Sequence, residues 1–114
     1  MKKLSKNIIT WGREKGILDK SNPLAQLGKT QEEVNELFES LIAQNNDWVS
    51  FKNTKGKMVN TRAEINDAIG DIAVTLILQC EMQNVDFKDC IKGAYYIIKG
   101  RKGKMKDGVF VKEE

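Results

Sequence analysis

The sequence predicts an all-α domain of four helices, and three observations lead to that prediction. Apolar residues recur at three- and four-residue intervals in four separate stretches. Residues that cap helices or form turns lie between those stretches. The composition, with 40% hydrophobic and 31% charged residues, is typical of a folded helical protein rather than a disordered one. A length of 114 residues indicates one domain over residues 1–114.

Helix-ending and helix-starting residues bound the first two predicted helices. The first helix begins near Leu4 and ends at Gly16, and residues 17–22 are predicted to be a connector. Pro23 follows a cap at Ser21 or Asn22 and begins a second helix that runs to about residue 43. The capping-box pattern of Thr30 and Glu33 is also consistent with a helix that restarts at Thr30. The expected core face of this second helix consists of Leu24, Leu27, Val34, Leu37, Phe38, Leu41 and Ile42.

Polar residues then interrupt the helical pattern before the third and fourth helices. Residues 45–59 fit either a small hairpin or a loop, and we favour the loop. A long helix is predicted from the capping pair Asn60 and Thr61 to about Asn84, apolar over most of its circumference, as in the centre of a bundle. Its expected core face is Ile65, Ile69, Ile72 and Leu76. A fourth helix, capped by Asp86, should end near residue 100.

Composition excludes several functional classes. The chain has no histidine, which rules out a Ser-His-Asp or Cys-His arrangement and a His-ligated zinc site within one chain. No apolar run approaches the roughly 20 residues needed to span a bilayer, and no signal-peptide pattern follows the first residues. We therefore expect a cytoplasmic protein without a membrane partner.

Acidic residues follow one side of the second and third helices. Glu33 and Glu36 are about 60° apart on a helix, so they share a face. Asp67 and Asp71 are one turn apart, and Glu64 lies on nearly the same line. If the two helices face each other, these carboxylates meet in a small volume.

A cluster of this kind requires a positive partner, because like charges repel and burial adds a desolvation cost. No Lys or Arg occurs between residues 63 and 88 to supply one. Ligation by oxygen alone selects a hard cation, Mg²⁺ or Mn²⁺, and carboxylate-held Mg²⁺ commonly binds substrate phosphates. The competing interpretation is a helix face exposed to solvent.

A basic tail follows the fourth helix. We expect four of its residues to close over substrate phosphates, although an unstructured solvated tail is the competing interpretation; they are Lys99, Arg101, Lys102 and Lys104. Trp11 is expected either to stack on a nucleotide base or to lie in the core or an interface. Residues 108–111 of the tail fit a short strand.

The pattern Glu32-Glu33-x-x-Glu36, followed by a helix with Ile69-Gly70-Asp71, resembles the MazG-like branch of the all-α nucleoside triphosphate pyrophosphohydrolases. The resemblance covers about residues 25–98. It implies a four-helix core completed by oligomerisation. It also implies Mg²⁺-dependent cleavage of (d)NTPs to the monophosphate and pyrophosphate.

The resemblance assigns roles position by position. Glu33, Glu36 and Asp71 match the family's metal-binding acids, and Glu32 matches the leading acid, the candidate for orienting the attacking water. The basic residues 99–104 are similar to the tail of small phage- or prophage-type members. The implied partners are a (d)NTP and further copies of the chain in a homodimer or homotetramer.

The chain departs from the family pattern at one position. The family has a Glu three residues before the terminal Asp, where this sequence has Ala68. We expect Glu64 or Asp67 to complete the metal site in its place. Two other functions compete with the hydrolase: a nucleotide-binding regulatory protein that has lost catalysis, and, less favoured, a nucleic-acid-binding module that uses the basic tail.

Overall fold

A computed structural model describes residues 1–113 and has a mainly helical chain with two antiparallel hairpins. Five helices make up 65% of it. They are α1 (Lys2–Glu14), α2 (Ile17–Lys20), α3 (Pro23–Asn45), α4 (Thr61–Met82) and α5 (Phe87–Ile98). The first hairpin pairs β1 (Ser50–Lys52) with β2 (Met58–Asn60), and the second pairs β3 (Gly103–Lys106) with β4 (Val109–Lys112). The mainly helical prediction is confirmed.

Side-chain caps begin helices α3, α4 and α5 at positions that the sequence indicates. The carboxamide or carboxylate oxygens of Asn22, Asn60 and Asp86 each accept a first-turn backbone N–H at 2.8–2.9 Å. Pro23 occupies the first turn of α3, where its missing N–H leaves no hydrogen bond unmade. These caps fix the directions in which α3 and α4 leave their preceding segments.

The predicted connector at residues 17–22 contains a short helix, α2. Gly16 has a φ of 80°, a left-handed conformation that ends α1 and turns the chain at little steric cost for glycine. The chain then makes one further helical turn before Ser21, which is extended. The segment connects α1 and α3 as predicted, and it contains one short helix that the sequence analysis did not predict.

The segment that we expected to be a loop is a hairpin. Asn53 Oδ1 accepts hydrogen bonds from the backbone N–H groups of Lys55 and Lys57, both at 3.0 Å, and so closes the turn. Gly56 supplies the left-handed residue that the turn needs, with a φ of 80°. Phe51 of β1 is 9% exposed and anchors the hairpin to the helices.

The tail also forms a hairpin, which extends the strand predicted at residues 108–111. Asp107 and Gly108 both have positive φ, at 50° and 81°, as a two-residue hairpin turn requires. Val109–Lys112 pairs with Gly103–Lys106 in an antiparallel register, and both strands are exposed along their length. Glu114, the last residue of the predicted tail, lies outside the described residues.

Helix α3 packs against α4 through polar side chains. Four of the five buried residues of α3 are polar, namely Gln26, Thr30, Glu33 and Ser40, each at most 8% exposed; the fifth is Ala43. Gln26 Nε2 donates to the Thr75 carbonyl at 3.0 Å, and the Thr30 hydroxyl contacts the Thr75 hydroxyl at 2.9 Å. These hydrogen bonds compensate the cost of burying the polar groups.

The apolar side of α3 faces outward, so its predicted core face was wrong. Six of the seven residues assigned to that core are 43–78% exposed: Leu24, Leu27, Val34, Phe38, Leu41 and Ile42. On α4 the prediction holds for Ile65, which is 4% exposed, but Ile69 is 56% exposed. The polar contacts with Thr75 orient α3 and leave its apolar stripe uncovered.

The single chain leaves much apolar surface in solvent. A compact monomer of this mass would expose about 6,300 Å², whereas this chain exposes 8776 Å². Its radius of gyration is 16.9 Å, against about 13 Å for a compact domain of the same length. Several α5 side chains, including Ile91, Tyr95 and Ile97, are more than half exposed. Across residues 1–113, every helix is too short or too polar to cross a bilayer.

Gly12 of α1 lies against Leu78 of α4, and this contact supports a stability prediction. A Cβ at Gly12 would lie 2.5 Å from Leu78 Cδ2, and Leu78 is only 2% exposed. We expect Gly12→Ala to destabilise the fold by about 1–3 kcal/mol through overpacking, measured by chemical unfolding. Gly93→Ala is the matched control, because a Cβ there meets open space, and the helical alanine should be neutral or stabilising. Equal stability changes in the two variants would show that α1 does not pack as described.

Candidate metal centre

Three carboxylates from two helices converge at the contact between α3 and α4. Glu33, Glu36 and Asp71 each place one carboxylate oxygen within 4.8 Å of the other two. Glu33 and Glu36 share one face of α3 because they are three residues apart. Asp71 reaches them from α4, the helix against which that face packs. The structure therefore brings together three of the five predicted metal ligands.

Glu33 is the most deeply buried of the three acids. The residue is 7% exposed, and within residues 1–113 its Oε2 is buried without a hydrogen-bond donor. Its Oε1 lies 3.3 Å from Lys29 Nζ. Buried polar oxygens are almost always hydrogen-bonded or bound to a cation, because desolvation alone is costly. The orphaned Oε2 marks a position where a cationic ligand would be stabilised.

The crowding of these carboxylates changes their protonation. Burial raises the pKa of Glu33, and the nearby Glu36 raises it further, while Lys29 partly opposes both effects. Burial likewise raises the pKa of Asp71, with the charges of Asp67 and Glu36 adding to the shift. Glu33 and Asp71 thus bind protons more readily than ordinary carboxylates do, and a divalent cation would compete with those protons.

Two lysines lie against the acids, and the sequence analysis missed both. Lys29 Nζ is 3.3 Å from Glu33 and 3.5 Å from Glu32, and Lys55 Nζ is 3.3 Å from Glu36. Burial lowers the pKa of Lys29, but its contacts with Glu33 and Glu32 outweigh that effect and raise it overall. Lys29 precedes Glu33 by four residues, a spacing visible in the sequence. The position of Lys55 depends on the hairpin, which we did not predict.

The remaining predicted acids lie around the three-carboxylate centre. Glu64 lines a small cavity together with Glu36 and Lys55, at the side of the centre that faces the first hairpin. Asp67 is exposed one turn before Asp71. Glu32 is about half exposed and pairs with Lys29. Neither Glu64 nor Asp67 belongs to the group within 4.8 Å. Within this group, no described residue therefore replaces the Glu that the family motif has at the position of the buried Ala68.

The predicted substrate-binding residues lie elsewhere on the chain. In the part of the chain that the structure describes, the tail cations form no ion pair with the three acids. Lys99 Nζ stands 4.4 Å from the Tyr96 ring centroid, Arg101 and Lys102 line a separate depression with Lys112, and Lys104 lies in β3. Trp11 is 45% exposed on α1. Their role in substrate binding stays a prediction.

No protein-family model matches this sequence, and comparison with curated proteins and with solved structures found no significant similarity. The candidate metal centre therefore depends on its own geometry and on the motif resemblance of the sequence.

The buried Glu33 supports a prediction about stability and pH. Its folded-state pKa is raised above the ordinary value of 4.5, so ionising it in the metal-free protein opposes folding. We expect Glu33→Gln to be more stable than the parent in EDTA at pH 7, with a melting temperature a few degrees higher. The difference should vanish below pH 4.5, where the parent's carboxyl is protonated in both states.

Thermal unfolding of both proteins from pH 4 to pH 8 measures this difference. Glu32→Gln is the matched control, because it removes an exposed neighbouring acid that also pairs with Lys29. That variant should gain no stability. A parent more stable than Glu33→Gln at pH 7 in EDTA would show that Lys29 already compensates the buried charge fully.

Proposed function

We propose that this protein is a Mg²⁺-dependent nucleoside triphosphate pyrophosphohydrolase. The observation that carries the proposal is the buried Glu33, whose Oε2 has no hydrogen-bond donor within residues 1–113. One of its two carboxylate oxygens also lies within 4.8 Å of oxygens of two further carboxylates. Neighbouring helices hold these three acids in place even though their mutual repulsion opposes folding. A structural role alone would be served better by apolar side chains at this contact.

The donor set fits a hard divalent cation. All three candidate ligands are carboxylates, which suit Mg²⁺ or Mn²⁺ and lack the nitrogen and sulfur that favour zinc. Glu33, Glu36 and Asp71 would hold the cation. When bound, Mg²⁺ would supply the positive charge that attracts a triphosphate and stabilises the charge that develops during hydrolysis.

The chain's own residues divide the remaining work. Glu33, Glu36 and Asp71 hold the cation and fix where the phosphates lie. Glu32 shares Lys29 with Glu33, so its half-exposed carboxylate stands at the edge of the centre, where it can orient a water and accept its proton. Asp67 or Glu64 would supply a further carboxylate from α4 only after a side-chain movement, because both lie outside the group within 4.8 Å.

The reaction type comes from the resemblance to MazG-like enzymes, which cleave between the α- and β-phosphates. One observation favours a second candidate, a nucleotide-binding regulatory protein without turnover. Ala68 replaces the Glu of the family motif and is 2% exposed, and none of the described acids takes its place within the centre. Binding without hydrolysis would identify this second function.

We expect Glu36→Gln to lower kcat/KM by at least about 100-fold. Loss of a residue that only supports a metal ligand costs up to about 100-fold, and loss of a ligand itself should cost at least as much. The parent, at micromolar concentration with Mg²⁺ and a panel of nucleoside triphosphates, should release pyrophosphate, with ³¹P detection to show which bond breaks. Glu81→Gln is the control, since Glu81 makes an exposed ion pair with Arg13 far from the centre in sequence.

Both variants should melt within a few degrees of the parent. Each loses an ion pair whose basic side chain is more than half exposed, and such pairs contribute little to stability. Undiminished hydrolysis by Glu36→Gln would refute the site assignment. Release of no pyrophosphate from any nucleotide by the parent would contradict the enzymatic proposal and leave the binding function.

We also propose that the chain works as a homodimer or homotetramer whose interface includes the apolar side of α3. The exposed surface exceeds that of a compact monomer by about 2,500 Å², which is within the range buried by a stable obligate interface. The outward-facing Leu27, Val34 and Phe38 form the stripe that a second copy would cover. The bundle expected from the sequence would then be completed between chains.

Phe38→Glu tests the oligomer, since Phe38 is 64% exposed near the middle of that stripe. A charge at the centre of an apolar interface should weaken association by at least about tenfold, shifting the mass measured by light scattering toward 12.9 kDa. Thr10→Glu, an exposed change of equal charge on α1, should leave the mass unchanged. A parent that is monomeric at tens of micromolar would contradict the proposal.

A further inference from the structure

The first hairpin brings a cation to the edge of the metal centre. Lys55 Nζ lies 3.3 Å from Glu36 Oε1. Lys55 also lines the small cavity that contains Glu36 and Glu64. The hairpin spans residues 50–60, between α3 and α4 in the chain. The contact between Lys55 and Glu36 places its tip beside α3.

Hydrogen bonds fix the backbone at the hairpin tip. Glu39 Oε1 accepts from the Thr54 backbone N–H at 3.0 Å, and Glu39 Oε2 is 3.3 Å from the Thr54 hydroxyl. Asn53 Oδ1 accepts hydrogen bonds from the backbone N–H groups of Lys55 itself and of Lys57. Because the backbone is held at Thr54, Lys55 and Lys57, the Cα of Lys55 has a defined position beside the centre.

The Lys55 side chain, by contrast, is weakly held. It is 69% exposed, and its one ion pair among residues 1–113 is with Glu36, whose side chain is 28% exposed. An exposed pair of this kind contributes about 0–1 kcal/mol, so it stabilises the fold little. Lys57, two residues along the same hairpin, forms no ion pair within residues 1–113.

Lys55 and a metal cation would compete for the negative charge of the Glu36 carboxylate. A divalent cation at the centre would draw on the same carboxylate and repel the ammonium group. The displaced ammonium, anchored at its Cα, would remain within a side chain's length of the centre. Lysine supplies three N–H donors on a flexible stem and is a frequent phosphate ligand.

We propose that Lys55 is a polyphosphate-binding residue of this site. It neutralises Glu36 when no cation is bound, and it turns to the phosphates when a cation and a triphosphate occupy the centre. This inference rests on the proposed function in assuming that the centre binds a cation and a triphosphate, but it does not require hydrolysis. It assigns phosphate binding to the first hairpin instead of the basic tail.

Lys55→Met is the test, with Lys57→Met as the matched control on the same hairpin. Calorimetry with Mn²⁺ alone should show binding tightened about twofold to fivefold in Lys55→Met, because the competing ion pair is lost. With magnesium tripolyphosphate as the probe, the same variant should bind at least about tenfold more weakly than the parent. Lys57→Met should match the parent with both probes.

The two measurements separate this inference from the hydrolase proposal. Tripolyphosphate binding that depends on Lys55, in a protein that releases no pyrophosphate from nucleotides, would support the inference and contradict the hydrolase. Equal tripolyphosphate affinity in Lys55→Met and the parent would overturn it, as would equal weakening in Lys57→Met. A parent that binds no tripolyphosphate would overturn it as well.

Discussion

The burial of the Glu33 carboxylate at the contact between α3 and α4 is the constraint on which the rest of the structure depends. A charge in that position is stable only with a cationic neighbour, and Lys29 satisfies one of its two oxygens. The other oxygen has no hydrogen-bond donor within residues 1–113, and the same carboxylate is grouped with those of Glu36 and Asp71. The two helices therefore pack against each other with a buried carboxylate oxygen that lacks a hydrogen-bond donor in the described part of the chain.

That arrangement has a consequence for the outside of the molecule. Because α3 turns its polar row, including Gln26 and Thr30, toward α4, its apolar row must face away. The exposure of the leucines and Phe38 and the burial of Glu33 are therefore two results of one helix orientation. In the proposed function, a cation would compensate the carboxylates on the inner face of α3, and a second chain would cover the apolar side chains on its outer face. Metal binding and assembly would then both depend on the orientation of α3.

The sequence predicted the helices well because their signals are local. Asn22, Asn60 and Asp86 cap helices by hydrogen bonds within three residues, and Glu33 and Glu36 share a face by helical geometry alone. The outward apolar face of α3 was not predictable from periodicity, which locates a stripe without saying which stripe meets the neighbouring helix. Lys55 was missed because its position depends on Asn53 and Glu39 fixing a hairpin, a contact between segments distant in sequence.

The most direct measurement is a crystal structure of the protein soaked in Mn²⁺, with the metal located by its anomalous scattering. The account predicts a peak at bonding distance from carboxylate oxygens of Glu33, Glu36 and Asp71, with Lys55 displaced from Glu36. A map without a peak at these three residues, and with Lys29 and Lys55 still against the acids, would contradict it. The lysines would then be the only cations that this cluster requires.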